Sequence, residues 1–207
     1  MKFEKIVFLM ITISICTVLI TTQLQTQDSI SVLVNNSGPY IGTAIPHDYG
    51  FDGSGIIISV IDTGVDFNHP DLLGLGLEGK IIGGYDFVDN DETPQDSNGH
   101  GTQVAGIIAS NGNLKGIAPN SKILAYRVSE DGESVSSNLI IKAIEKSISD
   151  NADIINISLG INQTNTKIDQ IVTKAVQNNI FVVTAAGNFG PESNTIGSPG
   201  LNPNAIT

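Results

Sequence analysis

Four short β-branched apolar runs, at residues 56–61 (IIISVI), 122–128 (KILAYRV), 154–157 (IINI) and 180–185 (IFVVTA), alternate with stretches of helical period, and this alternation leaves few folds open. Near-continuous apolar runs predict strands covered on both faces. Leu139, Ile140, Ala143, Ile144 and Ile148 recur three and four apart, as do Ile168, Ile171, Val172, Ala175 and Val176. Each set predicts an amphipathic helix. A parallel crossover needs a connection long enough to return to the same end of the sheet, and a helix supplies it. The expectation is an α/β fold, a mostly parallel sheet with helices on both faces. At 207 residues and 40% apolar content the chain can build one core of ordinary size.

Open parallel sheets bind ligands beyond the carboxyl ends of their strands. Three polar segments fall at such ends: Asp62 after the first run, Ser158-Leu159-Gly160 after the third, and Asn188 after the fourth. His100 opens the segment 101–110, whose Val104, Ala105, Ile107 and Ile108 suit a buried helix, and glycines flank the histidine. An aspartate accepting Nδ1–H would fix the imidazole tautomer and stabilise the imidazolium formed when Nε2 takes a proton from a hydroxyl. Asn188, in an Ala-Gly-Asn turn, reads from local chemistry alone as a loop residue.

The ends of the chain have a different character. Residues 1–22 combine a lysine-bearing start with an apolar run at 6–20, too short for a spanning helix of about 20 residues, and are expected to be a signal peptide or an N-terminal anchor. Residues 23–49 are polar and turn-rich and are expected to be an extension before the main domain at 50–207. Cys16, the one cysteine, sits in the apolar run, so no disulfide forms within the chain. A formal net charge of -11 speaks against nucleic acid as a partner, because phosphate binding needs a basic surface. A membrane partner is expected only if the first segment stays uncleaved.

The segments Val60-Ile61-Asp62-Thr63-Gly64, Asn98-Gly99-His100-Gly101-Thr102, Asn156-Ile157-Ser158-Leu159-Gly160 and Ala185-Ala186-Gly187-Asn188 together resemble the subtilases, the subtilisin-like serine proteases of peptidase family S8. His69-Pro70-Asp71-Leu72 and Gly116-Ile117-Ala118-Pro119 extend the resemblance over residues 53–207. It implies a three-layer subtilisin-like fold, with Asp62 as the orienting acid, His100 as the general base and Asn188 as the oxyanion donor. Ser158, Leu159 and Gly160 would pair with a polypeptide substrate in extended conformation. Gly187, Ser198 and Gly200 would wall the side-chain pocket. The stretch Glu130-Asp131-Gly132-Glu133-Ser134 departs from the small residues the family favours there, and its acidic groups could favour basic substrate positions.

The resemblance also implies a structural Ca²⁺. The acidic loop before the histidine resembles one carried by a thermostable member of the family, which gives Asp86, Asp89, Asp91, Thr93 and Gln95 as ligands. Asp71 resembles a carboxylate of a second calcium site, but its partner loop at 110–115 is short. No Gly-Thr-Ser segment follows Asn188, so the domain is expected to be C-terminally incomplete and, alone, inactive. The functional expectation is a secreted serine endopeptidase. The alternative is a non-catalytic secreted peptide-binding module or decaying pseudoprotease. Retention of Asp62, His100 and Asn188 speaks for the enzyme.

Overall fold

The computed structural model describes residues 38–76 and 79–207. The apolar run at 6–20, with Cys16, and the start of the extension lie outside the described residues. Among those described, no helix is long and apolar enough to cross a membrane. The chain divides into two compact units, Met1–Ala44 and Ile45–Thr207. The described part of the first is helical at 38–40 and then turns, with the N–H groups of Gly42 and Thr43 donating to the carbonyls of Pro39 and Gly38, each at 3.1 Å. At the junction lies a short helix, α1 (Ala44–Asp48), inside the stretch expected as extension. Five residues are too few for a helical period to show.

The second unit holds five strands: β1 (Ile57–Asp62), β2 (Ile81–Asp86), β3 (Lys122–Arg127), β4 (Ile154–Ile157) and β5 (Phe181–Thr184). They form one parallel sheet in the order β2-β3-β1-β4-β5. From β1 the chain passes to the edge strand β2, returns to β3 between the two, and then crosses β1 to place β4 and β5 on the other side. β1 is therefore central, and the winding reverses beside its carboxyl end, where open sheets leave a crevice.

Strand side chains alternate between two cores, as the period of two requires. Val60 and Ile81, with Ile123 and Ala125, pack with Ala105 and Ala109 of α2 (His100–Ala109) on one face. Ile61, Leu124, Tyr126 and Ile155 pack on the other against Ile140 and Ile144 of α3 (Ser137–Ser149) and Ile168 and Val172 of α4 (Thr166–Gln177). The result is the expected three-layer α/β architecture.

Four of the strands fall where the apolar runs predict them; β2 does not announce itself. Gly83 and Gly84 interrupt its apolar run, and glycine in a strand marks a bulge or close backbone approach. Both occur here. The register shifts between Ile81 and Gly83, and a Cβ on Gly84 would sit 1.8 Å from the Ala125 carbonyl oxygen. Beyond β5, Ile206 donates its N–H to Val182 and accepts that of Thr184, each at 2.8 Å, so this segment runs parallel along the sheet's edge.

Candidate active site

Asp62 is the last residue of β1 and is fully buried. His100 begins α2, and its Nδ1–H donates to Asp62 Oδ1 at 2.7 Å. The same oxygen accepts the Thr63 N–H at 2.7 Å, while Asp62 Oδ2 is buried without a partner among the described residues. Burial pushes the Asp62 carboxyl above its ordinary 3.8, and the His100 and Thr63 hydrogen bonds pull against that rise. A carboxylate so poorly solvated gains when its neighbour becomes a cation. The histidine side chain is 45% exposed, so the pair has one buried and one accessible end.

The helix can approach the strand end this closely because residue 101 is glycine. A Cβ there would lie 2.1 Å from the Gly64 carbonyl oxygen and 3.1 Å from Asp62 Oδ1. Backbone alone does not hold the approach. Asp96 Oδ1 accepts from Thr63 Oγ1, Asn98 N and Gly99 N, at 2.9 to 3.0 Å, and its Oδ2 accepts from Thr102 N and Oγ1 at 2.9 and 2.6 Å. Thr63 Oγ1 in turn accepts the Gly101 N–H at 2.9 Å. One carboxylate thereby satisfies donors that α2's N-cap, Gly99, leaves free, and it ties the residue after Asp62 to the helix bearing His100. Together these donors hold Asp96 below the usual carboxylate range, against the opposing effect of burial. The sequence reading passes over this role. Its only outward sign is an Asp four positions before His100, too far back for a simple cap.

A cavity of about 760 Å³ opens in front of the pair. Its lining comes from α2, through His100 and Val104, and from the segments that follow β3, β4 and β5. Ser158, Leu159 and Gly160 line it, as do Gly187, Asn188 and Ser198. The structure thus brings six of the sequence-derived positions around His100. Asn188 makes no hydrogen bond within the described residues, so its amide faces no competing acceptor. Ser198 is fully committed: its Oγ donates to Asp169 Oδ1 and accepts the Asn165 N–H, and its carbonyl accepts the Ile161 N–H. It bounds the cavity without a free polar atom. Gly200 is not part of the lining. A Cβ there would lie 2.8 Å from the Ala185 carbonyl oxygen, so it packs behind the cavity wall. Sequence reasoning also missed Phe189 and Ile161 as wall residues, because their positions depend on how the loops after β4 and β5 fold back.

The acidic loop is organised partly by one protein cation. Arg127 Nη1, at the end of β3, donates to Asp86 Oδ2 at 2.7 Å and to Asp89 Oδ2 at 2.6 Å. Asp86 Oδ1 accepts the N–H groups of Val88 and Asp89. Asp86 is thereby the least available of the five expected ligands. Asp91 Oδ1 accepts the Thr93 N–H at 2.7 Å. Among the described residues no three His, Cys, Asp or Glu side chains converge on one point. Gln95, however, is oriented by its Nε2–H bond to Asp66 Oδ1 at 3.0 Å, which leaves its Oε1 buried without a donor among the described residues. An orphaned amide carbonyl oxygen fits a hard cation. Asp71, where the short partner loop argues against a second calcium site, accepts N–H groups of Asn113 and Leu114, so the 110–115 loop folds onto the carboxylate itself.

Comparison with known proteins agrees with this geometry. The subtilase family model matches residues 53–207. The minor extracellular protease Vpr of Bacillus subtilis is 40% identical over 192 residues, covering 87% of this chain and 23% of that protein. Thermitase of Thermoactinomyces vulgaris is 43% identical over 143 residues, covering 67% of this chain and 50% of its own length. The solved structure of sphericase superposes with a TM-score of 0.67 at 37% identity, covering 75% of this chain and 53% of that one. The chain therefore spans between about a quarter and about a half of these relatives. With the family model matched from Gly53 to Thr207 and the sheet of a subtilisin-like neighbour shared, the chain belongs to the subtilase family.

Proposed function

We propose that this chain supplies the acid–base pair and the peptide cleft of a secreted serine-type endopeptidase. The observation that carries the reading is the 2.7 Å bond from His100 Nδ1–H to the fully buried Asp62. With Nδ1 committed as a donor, Nε2 is the nitrogen left to accept a proton. His100 would take that proton from a seryl hydroxyl as its oxygen attacks the scissile carbonyl, then return it to the leaving amine. Asp62 would stabilise the imidazolium between the two steps. The Asn188 amide would donate to the carbonyl oxygen as negative charge develops there. An extended polypeptide would lie against Ser158, Leu159 and Gly160 by main-chain hydrogen bonds, with Gly187 and Ser198 bounding one side chain. The name of the Vpr relative supports a site of action outside the cell.

Ser134, Ser158 and Ser198 also line the cavity, yet none is hydrogen-bonded to His100 among the described residues. The reading therefore gives the nucleophile's role to none of them, and the 207 residues alone are expected not to turn over peptide. The test is complementation in trans with a subtilase segment that carries the serine. The assembled pair should hydrolyse a chromogenic peptide and react with a fluorophosphonate, and His100→Ala should abolish both. An assembled pair that is inert, or indifferent to His100, overturns the reading.

The same proposal includes a structural Ca²⁺ held by Asp89, Asp91, Thr93 and Gln95, with Asp86 held in place by Arg127. Bound there, the ion would cross-link the loop between β2 and α2 and take no part in the chemistry. Calcium about a hundredfold above its Kd should stabilise the fold by about 3 kcal/mol. Differential scanning calorimetry with calcium and with chelator measures this, and a melting temperature indifferent to calcium removes the ion from the account.

A further inference from the structure

The cavity wall on the His100 side is electrostatically one-sided. Among the residues lining it, Glu133 is the one acidic side chain, and neither lysine nor arginine joins it. Glu133 forms no ion pair among the described residues. Arg127, the basic residue six positions earlier, is committed to Asp86 and Asp89. Apolar neighbours such as Val104, Leu159 and Ile161 make up other parts of the lining. Low-dielectric walls around a single sign of charge focus its field into the cleft.

The segment that presents Glu133 is pinned. Asp131 Oδ1 accepts the N–H groups of Glu133 and Ser134 at 2.9 and 2.7 Å, and Ser129 Oγ accepts that of Gly132 at 3.0 Å. Asn98 Nδ2 donates to the Asp131 carbonyl at 3.0 Å, which ties the segment to the loop just before His100. Gly132 lies close over the site: a Cβ on it would be 3.8 Å from His100 Cβ and 3.4 Å from Thr63 Cγ2. The N–H donors around Asp131 hold its carboxyl down to about 2, so a second negative charge stands behind Glu133 across the working pH range. Fixed backbone, a cleft-lining carboxylate and the absence of a compensating cation together specify a recognition element.

We propose that Glu133 selects a basic side chain, lysine or arginine, in the substrate residue that lies over residues 132–134. The inference rests on the peptide-cleft reading above and adds a substrate class to it. An accessible ion pair of this kind is modest, and the preference it sets is roughly two- to fivefold at low salt. It fades as ionic strength rises, because the Debye length shrinks to about 8 Å at physiological salt.

The test is binding, which needs no nucleophile. Short, blocked, fluorescein-labelled alanine peptides, with arginine or glutamate moved through each position in turn, are titrated into the full chain and followed by fluorescence anisotropy. Amide shifts of Gly160 and ring shifts of His100 report cleft occupancy. At one position arginine should bind roughly two- to fivefold tighter than alanine and glutamate weaker. Glu133→Gln should flatten that ranking and Glu133→Lys reverse it, and circular dichroism checks that both variants keep the fold. If every peptide perturbs the cleft with equal affinity, or if the arginine preference survives Glu133→Gln, the specificity inference is overturned while the cleft stands. If no peptide perturbs Gly160 or His100, the peptide-cleft reading fails and this inference with it.

Discussion

Asp96 accepts hydrogen bonds only from donors: two hydroxyls and three backbone N–H groups. An asparagine of the same shape would turn an amide NH₂ toward them, so even an isosteric change sets donor against donor. Asp96→Asn should cost about 3 kcal/mol at neutral pH, in the range for charge-assisted hydrogen bonds lost at a buried site. The pH dependence follows from the direction of the shift. The folded carboxyl lies below 3.8, so the stability it contributes is present above that value and is lost as pH falls through the folded pKa. Urea unfolding of both proteins should therefore show curves that separate at neutral pH and converge in acid. Parallel curves at all pH values would remove Asp96 as the tie between β1 and α2. Asp62 and His100 were legible in the sequence because each carries a local signature, a strand end and a glycine-flanked helix start. Asp96 was not, because three of its five partners are backbone groups that residue identities do not reveal. That Ser198 lines the cavity and Gly200 does not was illegible for a related reason: the sequence shows their proximity along the chain but not which of the two faces the cavity.

Elements were legible where one physical rule dominated. β1 and β3 are buried on both faces and β4 and β5 fully on one, yet all four read as apolar runs, whereas β2 replaces side chains with glycines to approach β3, and its signal disappears. The period of α3 starts at Leu139, yet the helix begins at Ser137, since its first polar turn adds no apolar residue to the pattern. α4 has a sharper boundary. Asn165 Oδ1 accepts the N–H groups of Lys167 and Ile168 at 3.0 and 3.3 Å, a side-chain N-cap. Its own N–H donates to Ser198 Oγ through the backbone, a contact that side-chain replacement leaves in place. Asn165→Ala should thus isolate the cap and cost about 1 kcal/mol, and Asn165→Ser should recover most of it. Chemical denaturation of the two variants measures the difference. Equal destabilisation by alanine and serine would mean that something other than the cap is being lost.

At the scale of the whole molecule, one sheet separates two cores and belongs to both. Val60 faces the α2 core and Ile61 the α3–α4 core; Ile123 and Ala125 face the first, and Leu124 and Tyr126 the second. A strand cannot release one set of side chains without losing the register that holds the other. The candidate site draws on the carboxyl ends of β1, β3, β4 and β5 together with the first turn of α2, so its geometry depends on both faces at once. Folding of the Ile45–Thr207 unit should then be a single cooperative transition. Ile144, fully buried in the α3–α4 core, tests this from one side. Ile144→Ala should cost about 3 kcal/mol through lost contacts and a residual cavity. With methyl-labelled isoleucine, the urea midpoint of Ile81, on the α2 face, should fall by the same amount as that of Ile155 on the mutated face. The His100 ring should lose its native shift in the same transition. A midpoint that falls for Ile155 yet stays put for Ile81 would show that the α2 layer and β2 hold together alone, and that the acid–base pair depends on one core rather than two.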